Sequence, residues 1–276
     1  MSSAPVTLRL EDAGAIAVVT LDRAERSNAL DARAWDAVGA RAREAGRSGA
    51  RVVVLRAAGR HFCAGIDVED ARALAEGEGT LSDVDACAGR TREGLMRRIR
   101  AMQDAFSLFE RAVEAPTVAC VKGACVGAGV DLVTACDVRL AQRDATFCVK
   151  EVDLGIAADV GTLQRLPSVV GHGRAMELAL TARTITADEA LRIGLVSEVC
   201  DDVDARGMEL ARALAKKSPI ALRGTKRVLL RARDDPNVER GLDYVAAHNA
   251  AMLMNADLDE ALRARAERRP PVFSKL

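Results

Sequence analysis

In "VTLRLEDAGAIAVVTLD", residues 6–22, apolar and polar side chains alternate up to an Asp-Ala-Gly break and then give way to a β-rich run. That layout predicts a β-hairpin. "ARAWDAVGARAREAG", residues 32–46, repeats its apolar positions at helical spacing, and "RVVVLRAAG", residues 51–59, is a continuous β-branched run closed by Gly59. The second of these predicts a strand buried on both faces. From 69 to 94 the chain turns small and polar and reads as a lid or loop over a site, before helical spacing around Met96 to Glu114 sets Phe106 and Phe109 on one side. "PTVACVKG" (116–123) and "VRLAQRDATFCV" (138–149) predict short apolar strands on either side of the glycine-rich "GACVGAGVDLVTACD". Beyond Ala187 the spacing is almost entirely helical. Repeated strand–helix units with buried strands predict an α/β fold, and the helical end reads as a region that packs on a neighbour.

Composition narrows the function classes. At 276 residues and 49% hydrophobic content the chain builds a substantial core by itself, and 40 basic against 40 acidic residues leave no net charge to attract nucleic acid or an anionic membrane. No apolar run approaches the roughly 20 residues of a membrane span, and "MSSAPVTLRLEDAG" lacks the layout of a signal peptide. Seven cysteines, an odd number without a CxxC pair, read as reduced, buried thiols. His61, His172 and His248 have no metal-binding spacing, so no metal site is expected.

Two glycine-bearing turns are candidates for chemistry. Ala64-Gly65 follow the strand ending near Ala57, and Gly127-Ala128-Gly129 precede a helix opening at Val130-Asp131. Small residues permit close backbone approach, and free N–H groups at a helix start carry partial positive charge, so the two turns together can hold one oxygen anion. Each alone also reads as a tight connection. "KEVDLGIAADVGTLQRL", residues 150–166, sets Asp159 in an otherwise apolar run. Asp159 is either an N-cap of a helix in "VGTLQRL" or a group that faces a pocket and exchanges a proton. Glu151 is open to pairing with Lys150, Asp153 reads as a surface-pair residue, Asp131 is open to a first-turn helical role, and Asp67 reads as a turn-stabilising side chain.

The stretches "HFCAGIDV", "GACVGAGVDLVTACDVRLA" and "KEVDLGIAADVGTLQRLP" resemble the crotonase (enoyl-CoA hydratase/isomerase) superfamily, and within it the Δ3,5-Δ2,4-dienoyl-CoA isomerases. "LDRAERSNALD", "MQDAFSLFE", "TARTITADEALRIGLVSEV" and "ERRPPVF" extend the likeness over nearly the whole chain. The resemblance implies an oxyanion hole from the N–H groups of Ala64 and Ala128, the latter commonly glycine in the family. It also implies that Cys63, Ala64, Gly65, Ile66, Asp67 and Ala128 line the path of an acyl-CoA. Hydratases carry two glutamates at the positions of Asp131 and Glu151. Here the first is aspartate, and Asp159 is a third acid, the set that resembles the dienoyl isomerases.

The fold so implied is α/β, a ClpP/crotonase-like spiral of ββα units in two roughly perpendicular sheets, with residues 1–200 as core and 201–276 as a C-terminal helical trimerisation region. The implied activity is isomerisation of 3,5-dienoyl-CoA to 2,4-dienoyl-CoA in fatty-acid β-oxidation, with Glu151 as base, Asp159 as acid and Asp131 in support. It calls for no metal or redox cofactor. The alternatives are an enoyl-CoA hydratase and a non-catalytic acyl-CoA- or RNA-binding member. The basic stretch 216–233 has no aromatic residue and reads as a solvated helix face, so no nucleic-acid partner is expected. A homotrimer or homohexamer is expected. The expected location is bacterial cytoplasm, with the peroxisome as alternative through Ser274-Lys275-Leu276.

Overall fold

The computed structural model describes residues 4–75 and 87–274. β1 (Val6–Glu11) and β2 (Ile16–Leu21) form the predicted hairpin, antiparallel with Val6 opposite Leu21. In α1 (Ala32–Arg47) the Asp31 side chain caps the first turn by accepting the Ala34 N–H at 2.8 Å, and Trp35, Val38 and Ala42 turn inward at helical spacing. There follow β3 (Val52–Ala57), α2 (Val68–Ala75), α3 (Ala88–Arg111), β4 (Thr117–Val121), β5 (Ala124–Val126) and α4 (Ala128–Thr134). Next come β6 (Val138–Gln142), β7 (Thr146–Cys148), α5 (Thr162–Val170), α6 (His172–Thr181), β8 (Ile185–Thr186), α7 (Ala187–Arg192) and β9 (Glu198–Cys200). The last described elements are α8 (Val203–Ala215), α9 (Pro219–Asp234), α10 (Val238–Met252) and α11 (Ala256–Ala266).

The hairpin leads into a six-stranded sheet ordered β1-β2-β3-β4-β6-β9, parallel from β2 onward. A second, three-stranded sheet runs β5-β7-β8. The continuous apolar runs are explained by burial on both faces of the large sheet. Ala17, Val19, Val53, Leu55, Ala119 and Val121 face the main core with α1 and α3, whereas Ile16, Val18, Val52, Val54, Val118 and Cys120 face α8. Gly207 of α8 lies so close to β4 that an added Cβ would sit 2.2 Å from Cys120 Sγ. α8 lies beyond the boundary expected after residue 200, yet it forms the layer over this face of the sheet.

Several elements differ from expectation. Residues 138–149 are two strands in different sheets, β6 and β7, separated by a turn at Arg143–Ala145. The glycine-rich stretch before them contains β5, and β9 interrupts the helical end to complete the edge of the large sheet. α3 starts at Ala88, eight residues before Met96. The expected lid over 69–94 is helical at both ends, and its middle, residues 76–86, lies outside the described residues, as do Lys275 and Leu276.

Candidate active site

The first glycine turn is built by pairing on both sides. Cys63 pairs with β5 through Cys63 N–H to Ala124 O at 3.0 Å and Val126 N–H to Cys63 O at 2.9 Å. On the other side Leu30 N–H donates to Gly65 O at 2.8 Å, and Asp67 N–H to Leu30 O at 3.0 Å. This parallel bridge uses the groups flanking Ile66 and leaves the N–H of Ile66 itself turned away from Leu30. Gly65 makes the turn at φ +96°, where an added Cβ would meet Val126 O at 3.2 Å.

The Ala64 N–H is not free. It donates to Ser27 O at 3.0 Å, and Asn28, buried beside Ser27, fastens that segment by donating to Ala58 O at 2.9 Å and His61 O at 2.8 Å. The expected assignment of Ala64 as an oxyanion donor is therefore corrected: among the described residues the unengaged N–H of this turn is that of Ile66. On the second turn the Ala128 N–H, at the start of α4, likewise has no acceptor. Ile66 and Ala128 border one cavity together with Ala64, Gly65, Glu151 and Asp159. Two further expectations fail on contact. Cys63 is fully buried, its thiol pushed up to about 12 by that burial, and it does not line the cavity. The Asp67 carboxylate pairs with Arg23 at 3.1 Å and accepts the Glu69 N–H at 3.2 Å, capping α2, so it fixes the turn, and it does not line the cavity.

Glu151 and Asp159 line this cavity from different elements, and Asp131 is buried outside its lining, close enough to feel the charge of both. Asp131, on α4, is wholly buried, and its Oδ1 accepts the Thr162 N–H at 2.5 Å. Gly161 stands at the N-cap of α5 and has no side chain to offer, so Asp131 caps α5 from another helix. Asp159 is consequently not the helix cap. Glu151 begins a 3₁₀ turn after β7 and is buried against Gly127, whose added Cβ would lie 3.4 Å from Glu151 Oε1. Lys150 pairs with Asp153, as expected of Asp153, and not with Glu151. Asp159 is half-buried on the cavity wall.

Burial raises all three pKa values, and neighbouring acids add to the rise of Asp131 and Glu151. Asp131 is pushed up to about 7, by burial first and then by the charge of Glu151, while hydrogen bonds from Thr162 oppose the rise. Glu151 is raised by burial and the charge of Asp159, partly offset by backbone N–H groups and by a hydrogen bond from Asp131. Asp159 is raised by burial. Among the described residues Asp131 Oδ2 and Glu151 Oε2 have no donor, so a hydrogen bond between the two acids forms only when one of them is protonated. The sequence reading put the retained proton on Asp159 and gave Asp131 only a supporting role, but the acid whose pKa rises furthest is Asp131, because it alone is wholly enclosed. Trp35 and Met102, from α1 and α3, also wall the cavity, and the helical spacing of those segments does not single them out. The arrangement sets two N–H groups that have no acceptor among the described residues, and the carboxyl groups of Glu151 and Asp159, around one cavity.

A chain with this fold and this cavity belongs to the enoyl-CoA hydratase/isomerase family, whose model matches residues 11–275. It superposes on an enoyl-CoA hydratase of Bacillus anthracis with a TM-score of 0.86 at 25% identity, covering 99% of this chain and all of that one. It is 48% identical to the peroxisomal Δ3,5-Δ2,4-dienoyl-CoA isomerase of Arabidopsis thaliana over 82% of this chain and 80% of that protein. With the human mitochondrial protein of the same activity the identity is 42%, over 94% of this chain and 79% of the relative.

Proposed function

We propose that the protein isomerises 3,5-dienoyl-CoA to 2,4-dienoyl-CoA in the β-oxidation of unsaturated fatty acids. The observation that carries the reading is the third acid, Asp159, on the same cavity wall as Glu151, with Asp131 buried close enough to feel the charge of both. The thioester carbonyl oxygen sits at the N–H groups of Ile66 and Ala128, an oxyanion hole that stabilises the enolate formed when C2 loses its proton. Glu151, packed against Gly127 next to Ala128, is the acid placed to take that proton. Charge then spreads along the conjugated chain to C6, about 5 Å from C2, where Asp159 returns a proton and both double bonds move into conjugation. Exchange with solvent restores the proton to Asp159 and ionises Glu151. Asp131, protonated near neutral pH, hydrogen-bonds to Glu151 and limits the repulsion among the acids. Protons move only between carboxyl groups and carbon, so no metal or redox cofactor is required. The acyl-CoA thioester is the proposed substrate and a homotrimer or homohexamer the proposed assembly.

The proposed location is a bacterial cytoplasm, with the peroxisome, which the name of the Arabidopsis thaliana relative gives for that protein, as the alternative. Incubation with a 3,5-dienoyl-CoA is expected to produce the ultraviolet absorbance of the conjugated 2,4-dienoyl product. Hydration of a 2-enoyl-CoA without that isomerisation would favour the hydratase alternative, with Asp131 and Glu151 positioning water.

A further inference from the structure

Asp159 carries a role that demands accurate placement, yet little around it supplies one. Residues 152–157 before it are exposed, and among the described residues no side chain hydrogen-bonds its carboxylate. Its aim is set through the main chain. Gln103 of α3 donates from Nε2 to Asp159 O at 2.6 Å. The next carbonyl, Val160 O, accepts from Arg165 Nη1 at 3.4 Å. Arg165 is itself buried and held on α3, with Nη2 on Ser107 Oγ at 2.8 Å and Nε on Glu110 Oε2 at 3.1 Å. Gln103, Ser107 and Glu110 are spaced four and three apart, so one face of α3 carries all three. Glu110 also pairs with Arg233 of α9, which holds the buried acid from its other side. Arg165 lies across Gly161, where φ is +130° and an added Cβ would fall 1.8 Å from Nη1.

We infer that Gln103, which holds the Asp159 carbonyl while Arg165 of the Ser107–Arg165–Glu110 cluster holds the next one, is a positioning residue that aims the Asp159 carboxyl into the cavity. Glu151 is placed by a different element, the 3₁₀ turn after β7. The clamp therefore acts on one of the two proton-transfer groups and not on the other. This rests on the assignment of Asp159 to C6 and Glu151 to C2.

The test replaces Gln103 by Met, which keeps the length of the side chain and removes the N–H donor, and by Asn, one methylene too short to reach and a guard against a folding failure of the first variant. Isomerisation of 3,5-dienoyl-CoA is expected to lose roughly 10- to 100-fold in kcat with KM within about twofold, the scale of a misplaced reacting group. Exchange of C2 hydrogens of a bound acyl-CoA with solvent deuterium is expected to stay within about twofold of the parent, since it needs only Glu151 and the two N–H donors. The Asp159 carboxyl, followed by ¹³C NMR and assigned against Asp159→Asn, is expected to titrate closer to the ordinary carboxylate range once released from the wall. Parallel loss of isomerisation and C2 exchange, or an unmoved Asp159 titration, would overturn the inference. If the parent protein does not isomerise dienoyl-CoA, the assigned reaction falls, and the Asp159 titration still decides the clamp.

Discussion

Asp131 is a buried acid, and its burial has a sign that can be measured. The folded chain holds the proton up to about pH 7, whereas the unfolded chain releases it near the ordinary 3.8. Between those values only the folded state is protonated, so stability is greatest at the acid end, falls with rising pH by up to roughly 1.4 kcal/mol per unit, and levels off above pH 7. Asp131→Asn keeps an oxygen for the Thr162 N–H and removes the titration. Urea denaturation at pH 4.5 and 8 is therefore expected to show a smaller difference in the variant, which gains on the parent at pH 8 by about 2–4 kcal/mol; an unchanged difference would place the proton elsewhere. The acids themselves were legible from sequence because an acid in an apolar run is conspicuous. Which N–H groups are free was not legible: Ala64 is silenced by the carbonyl of Ser27, 37 positions away, and no local spacing reports that contact. The same holds for Asp131 capping α5, a bond across 31 positions. Activity supplies a second residue-scale test. Asp159→Asn is expected to cost on the order of 10²- to 10⁴-fold in isomerisation and to retain C2 exchange, whereas Glu151→Gln loses both; loss of exchange in Asp159→Asn with the fold intact would reverse the two roles.

At the scale of elements, the site depends on how abruptly β5 turns into α4. Gly127 makes that turn at φ +51° and ψ −115°, outside the regions open to other residues, and its Cα faces the Glu151 carboxylate. Gly127→Ala is expected to cost about 1–3 kcal/mol of stability from backbone strain and to lower kcat further by pushing Glu151 aside. Denaturation midpoints and steady-state rates check the two effects separately; a variant with the parent's midpoint would show that the turn relaxes freely. Long elements with a full period were readable: α1 from its apolar spacing, and β3 from its β-branched run. The short strands were not, because β5, β7 and β9 have three residues each, too few positions to display alternation. Residues 138–149 were read as one strand for the same reason, since the two apolar ends of the segment look alike until their partners are known.

For the whole molecule, the C-terminal helices pose the remaining question of burial. α9 is fixed to the core by polar contacts: Lys226, itself buried, reaches Asp137 at 2.8 Å and the carbonyls of Phe109 and Ala115 at 3.1 and 3.2 Å. α10 buries none of its residues, and Leu229, Leu242 and Leu262 of α9, α10 and α11 are 65%, 62% and 60% exposed. Leu229 lines a groove with Met252, Leu253 and Phe273, and the exposed leucines of the three helices leave apolar surface of the kind that self-association removes from water. The sequence suggested this end as a contact region because its helical spacing continues where strand partners run out. Identical chains meeting through such a surface form a closed assembly where the rotation between neighbours closes, as in a trimer or a pair of trimers. Sedimentation at micromolar concentration is expected to show a trimer or hexamer. Leu242→Glu is expected to shift the population toward smaller species, because it sets a charge on a surface that must become dry, while leaving the sheet and the active-site acids untouched. A monomeric parent would refute the assembly, and an unshifted Leu242→Glu would move the contact to another face.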